Sequence, residues 1–305
     1  MMTMKKPSIT STQPTAGQWR QIHQTIKAAA THAGMVALKK GGVDRAGMQI
    51  LLGRGDELQQ AIAEAAAAAV KQLSMVNQFT NEEVASKYGY LSGYTGPKTL
   101  SEQVAKLREL FPQLTSVDLP QSGIEHVLPE GAEGLFAIPD WYKIAPTYYG
   151  AVQIVLDLLA KACGGNFKNW RQGEMDRLRQ STKSVALWNK VSASQNGNDI
   201  LVVDAQFGLL HRGRSVRRAR EVMWGNQCGL GAFAVGIMLL THVNRLQQFN
   251  DLWVDCAGDE FLGDGALPLR APCFGWDDGG LRFGADSVGL AIAGYGSASF
   301  FLPQS

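Results

Sequence analysis

The residues best suited to chemistry lie in "DLWVDCAGDEFLGDG", 251–265. Adjacent carboxylates such as Asp259 and Glu260 can hold divalent cations against a nucleotide's phosphates, and an imidazole such as His242 could add a ligand. Elsewhere the catalytic vocabulary is thin. The five histidines, His23, His32, His126, His211 and His242, fall in no HExxH pattern, and no GxSxG elbow is present. No GxGxxG follows an apolar strand, and no Walker loop occurs. Cys163, Cys228, Cys256 and Cys273 make no C-x-x-C pair, so they read as reduced, mostly buried thiols. No cofactor is implied.

The string Ala257-Gly258-Asp259-Glu260-Phe261 resembles the GG(D/E)EF signature of diguanylate cyclases, where the acidic pair sits on a hairpin. The surroundings depart from that family. Only 44 residues follow Phe261, they are Gly-rich, and the family's upstream metal and guanine segments are not recognisable. Asp259 and Glu260 read instead as residues that cap or brace a turn near "GDG". A metal-dependent enzyme built on Asp259, Glu260 and His242 is the alternative.

Two further strings invite functional readings. "HRGRSVRRAR", 211–220, has five arginines and could bind phosphates. A formal net charge of only +2 favours a turn and a helix whose arginines cap carbonyls and pair with Glu221 and Asp204, so nucleic acid is disfavoured. Arg54-Gly55-Asp56 spells RGD, but Asp56 is expected to cap the helix that follows.

The elements around these residues can be read from pattern. Residues 1–16, rich in Ser, Thr and Pro, are expected to be flexible. "GQWRQIHQTIKAAATHAGMVALKK" and 55–76 predict helices, the second with acids at its start and Lys71 near its end. Thr99 and Glu102 stand in capping-box spacing before another. "NQFTNEEVASKYGYLSGYTGPK" predicts an ordered, aromatic-studded loop, and 114–134 another loop. "GLFAIP" predicts a strand leading to a helix at about 147–162, and "NWRQGEMDRLRQSTKSVALWNKV" a second helix. "SQNGN", 194–198, predicts a domain boundary. After it come a strand, "DILVVDAQF", turns at Gly208 and Gly213, two helices within 215–246, and short strands. The expected fold class is α+β. Its expected parts are a mainly helical region over 17–198 and a module over 199–305.

With 45% hydrophobic and 18% charged residues the chain can build a core. Its longest apolar run, 229–240, is too short to cross a bilayer, and no signal peptide is evident. A cytoplasmic or virion-associated location is therefore expected.

Between Arg270 and Pro303 there is no Lys, Glu, Gln or Met. "DAQFGLLHRGRSVRRAREV", "GLGAFAVGIMLLTH", "LWVDCAGDEF" and "YGSASFFLP" resemble the C-type-lectin-like variable proteins of diversity-generating retroelements, in an uncharacterised phage and bacterial lineage. The resemblance implies a lectin-like module of short strands and two helices over 199–305, with a hypervariable face. In such systems template adenines are miscopied, so AAC and AAT codons become NNC or NNT. Those codons encode no Lys, Glu, Gln, Met or Trp. Trp276 alone departs from that arithmetic, as scaffold or from a different template codon.

The face this implies comprises Cys273, Phe274, Gly275, Asp286, Ser287, Gly289, Leu290, Ile292 and Tyr295, with Trp276 carried beside them. Of these, Cys273, Gly275, Ser287, Gly289, Leu290 and Ile292 are expected to be exposed on one surface. Leu281, Phe283 and Phe300 are expected to be buried in framework strands, with "DILVVDAQF" beside "ASFFL". The implied function is non-enzymatic binding, to a protein ligand before any other, and a homo-oligomer is compatible with it; a structural phage or cell component with no variable surface is a further alternative.

Overall fold

A computed structural model describes residues 16–73, 78–120, 126–223, 226–263 and 268–302. The chain divides into two units, Met1–Ser74 and Met75–Ser305. The expected flexible stretch, up to residue 15, lies outside the described residues.

The first unit is helical: α1 (Ala16–Lys40), α2 (Arg45–Gly53) and α3 (Gly55–Leu73). The Asp44 side chain caps α2 by accepting from the Gly47 amide at 2.7 Å. Asp56 does not cap α3 as expected. It lies with Glu57 inside the first turn, where negative charge still suits the helix dipole. Residues 74–76 of the expected helix lie outside the described set.

The second unit is an α+β fold. Helix α4 (Leu100–Leu110) starts at the expected capping box, with Thr99 and Glu102 satisfying each other's amides. Strand β1 (Gly134–Pro139) leads to α5 (Tyr148–Ala162), capped by Thr147. Next come β2 (Phe167–Asn169), β3 (Leu178–Gln180), α6 (Thr182–Ser194) and β4 (Ile200–Gln206). Helix α7 (Val216–Val222), β5 (Gln227–Gly229) and α8 (Ala232–Thr241) follow. The unit closes with β6 (Trp253–Asp255), β7 (Asp259–Phe261), β8 (Arg270–Asp277), β9 (Gly280–Ser287), β10 (Tyr295–Ser297) and β11 (Ser299–Phe301).

Two sheets result. One has the order β1-β4-β11-β5; the other runs β10-β6-β8-β7-β3, with β9 joined to both β8 and β2. The core lies where α5 and α8 pack against these sheets. Every residue of α8 is buried, as a helix apolar on all sides requires. As expected, "DILVVDAQF" and "ASFFL" are neighbours, with Phe300 opposite Ala205.

Two expectations need correction. The helix foreseen from 169 begins only at Thr182, capped by Ser181. The residues before it are claimed by sheet pairing, β2 with β9 and β3 with β7. The boundary foreseen at 198/199 falls inside the second unit. Strand β4 pairs with β1 along six residues, so the chain cannot part there. "SQNGN" is instead a tight turn, with Asn196 and Gly197 both at positive φ, the conformation that Asn and Gly best tolerate.

Candidate ligand-binding face

Side chains alternate along β8 and β9. Phe274, Leu281, Phe283 and Ala285 point into the main core. Gly275 and Gly284 lie on the opposite, outer face, each beneath an indole. A Cβ at Gly275 would stand 1.9 Å from Cδ2 of Trp253, and one at Gly284 would stand 3.1 Å from Cε3 of Trp170. Glycine at both places lets the rings lie close on the sheet. Tyr295 stacks on Trp253 with ring centres 5.0 Å apart, and Trp170 follows at 6.4 Å. The three rings form a row across β10, β6 and the strand ends beyond, and Trp170 is 45% exposed.

Beside the row lies a polar cluster. Cys273 Sγ is 3.6 Å from Asp286 Oδ2, and the Tyr295 hydroxyl faces the same carboxylate. Asp255 sits opposite Cys273 in the β6–β8 register and is buried. Burial, then the nearby Asp286 charge, pushes the Asp255 carboxyl up to about 8, against the pull of Arg220. Burial raises the Cys273 thiol and the Tyr295 phenol as well.

The end of β9 and the segment after it frame the row. Ser287 and Leu290 are exposed, while Gly289 and Ile292 are half-buried. The segment's backbone is tied down at both ends. The Arg217 amide donates to the Val288 carbonyl at 2.9 Å, and the Ser86 hydroxyl donates to the Ala293 carbonyl. Asp286 and Tyr295 are half-buried at its edges.

Part of the expected face is therefore wrong. Cys273, Phe274 and Gly275 are buried, and Trp276 is half-buried against the main core. The reason is that both faces of β8 are covered. Phe274 and Trp276 point inward, whereas Val216, Ala219 and Met223 of the α7 region pack over Ala271 on the outer side. Leu281, Phe283 and Phe300 are buried as expected. Trp170, Trp253, Asp255 and Gly284 were not foreseen. The alternation Trp253–Val254–Asp255, set against glycines on partner strands, is the signal that could have found three of them.

The other candidate residues are used structurally. Asp259 accepts the first amide of α8, Ala232 N, at 2.7 Å, and the Tyr148 hydroxyl at 2.7 Å. Burial pushes its carboxyl up to about 7. Glu260 pairs with Arg179 across β7 and β3 at 2.8 Å. His242 stands at the other end of α8, about 15 Å of helix rise away. There it accepts the Lys98 amide at 2.9 Å and packs against Tyr94 and Phe136. The trio of the metal-site alternative is thus not brought together. Among the described residues no group of three or more His, Cys, Asp or Glu could hold a metal ion.

The arginine run is tied to acids and carbonyls. Arg217 pairs with Glu82, and Arg218 with Glu83 at 2.5 Å and Glu221 at 2.8 Å. Arg214 lies 3.5 Å from Glu83, Arg212 donates to the Tyr88 carbonyl, and Arg220 to those of Ala257 and Asp259. The Glu221 pairing was foreseen. Asp204 pairs instead with His126 at 2.6 Å.

No protein-family model, curated protein or solved structure matches this chain. No helix among the described residues is long and apolar enough to cross a membrane.

Proposed function

We propose that this is a non-enzymatic ligand-binding protein whose C-terminal strands act as a lectin-like scaffold, diversified by a retroelement, for a face that meets a protein ligand. The observation that carries the reading is the row Trp170–Trp253–Tyr295, lying on glycines beside the segment 287–292. Large rings held in place contribute contact area at little entropic cost, which is why aromatic residues dominate binding hot spots. Exposed Ser287 and Leu290 can change with little loss of packing energy, and half-buried Gly289, Ile292, Asp286 and Tyr295 complete the face around them. Leu281, Phe283 and Phe300 hold the scaffold beneath.

The DNA flanking the gene tests this. The expected result is a reverse-transcriptase gene and an imperfect repeat of the gene's 3′ end. Differences between repeat and gene should fall at template adenines and in the codons for residues 286–295. The absence of a repeat overturns the reading, as do differences that fall on Phe283 and Phe300 as often as on Ser287 and Leu290.

A further inference from the structure

Among its described residues the first unit carries apolar side chains that none of its helices buries and charges that its helices do not pair. Among its described side chains none is buried. Met48 and Leu52 stand four residues apart on α2, and Leu58 and Ile62 four apart on α3, so each pair shares a helix face. All four are exposed, Leu52 at 72%. Ile50 and Met35 are exposed as well. Helices of nine and nineteen residues gain most of their stability from burying an apolar face, and here that face meets water.

The charges are divided between helices. Helix α1 carries Arg20, Lys27, Lys39 and Lys40 and has no Asp or Glu. The first ten residues of α3 carry Asp56, Glu57 and Glu64 and no base. Arg54–Glu57 is the one ion pair among the described residues of this unit, so no base of α1 pairs with an acid of α3 within the chain.

We propose that this unit is a self-association element. A second copy of the chain covers Met48, Leu52, Leu58 and Ile62, and the basic α1 of each copy faces the acidic start of α3 of the other. A two-fold interface must be self-complementary, and a surface that holds both signs and its own apolar stripe meets that condition. A membrane surface or a nucleic acid would select for basic residues alone, and the acids of α3 would oppose either.

The test is the mass of the full 33.0 kDa chain in solution across the micromolar range, by sedimentation equilibrium. Wild type is expected to be oligomeric. Leu52→Glu with Leu58→Glu is expected to give monomer with the near-ultraviolet circular dichroism of the second unit unchanged. Lys27→Glu, Lys39→Glu and Lys40→Glu together should weaken association about tenfold, the sum of a few exposed ion pairs. Adding Asp56→Lys and Glu64→Lys should restore it. These are surface changes, so they remain informative if the Leu variants misfold. A monomeric wild type overturns the proposal, with or without binding to anionic vesicles. So does an oligomer that survives the Leu52/Leu58 change. Charge reversal without effect overturns the pairing of α1 with α3.

Discussion

Neighbouring residues of the tail should respond very differently to substitution. Phe283 is fully buried between strands and opposite Phe274, so Phe283→Ala should cost roughly 3–5 kcal/mol in transfer energy and cavity. Ser287→Asn and Leu290→Ser should each stay within about 0.5 kcal/mol. Urea unfolding of the three variants checks this, and equal losses would mean that 287–290 is ordinary core. Asp255 predicts a pH effect. Its carboxyl is raised to about 8 in the folded protein from an ordinary value near 3.8, so its contribution is complete at low pH and is lost as pH rises toward 8. Asp259, raised to about 7, acts in the same direction over a shorter range. His211 and His242, lowered to about 3 and 4 by burial, act oppositely, losing stability as pH falls below about 6.5. Between about pH 7 and 8 both carboxyls still lose stability as pH rises, Asp255 over the wider range, while the two imidazoles are past their folded midpoints. Unfolding midpoints at pH 7, 7.5 and 8 should therefore decline in wild type and decline less steeply in Asp255→Asn. An equal slope in both would refute this assignment.

Segment 78–98 has no regular secondary structure of its own, yet carboxylates at both its ends hold it. Glu82 and Glu83 bind the arginines of α7, and Asp251 accepts the amides of Leu91 and Ser92 at 2.6 and 3.2 Å. Replacing Glu82 and Glu83 together by Gln should raise amide hydrogen exchange in 78–90 and at the start of α7, while α5 and α8 keep their protection. Unchanged exchange would mean that the ion pairs are decoration. Patterns confined to one element were legible in the sequence. Thr99 and Glu102 announce α4, and the apolar run announces α8, because capping and periodicity are local. The three-residue strands β2 and β3 were not legible. Their conformation comes from partners about eighty residues away or more, and "NWRQGEMDRLRQ" has helix-forming composition. The outer face of β8 was misread for a related reason. Alternation tells which residues share a face, but not that α7 and Trp253 cover the second face of this strand.

At the scale of the molecule, the ordering of charge limits what the protein can bind. The arginine run spends its donors on Glu82, Glu83, Glu221 and backbone carbonyls, so the second unit should bind neither duplex nor single-stranded DNA at physiological salt. Gel-shift titration checks this, and binding with a steep salt dependence would restore a nucleic-acid role. Incubation with GTP and magnesium should likewise yield no cyclic dinucleotide, and product that vanishes in Asp259→Ala/Glu260→Ala would restore the cyclase reading. Strand β11, residues 299–301, lies between β4 and β5 rather than at an edge. A ribosome must therefore translate past Phe301 before that sheet can close, however early β1 and β4 emerge. Any frameshift or premature stop between β9 and Ser299 would leave β4 and β5 without the strand that joins them. Folding thus proofreads the reading frame of the whole tail, and a mistranslated copy would be exposed to proteases before it could bind anything.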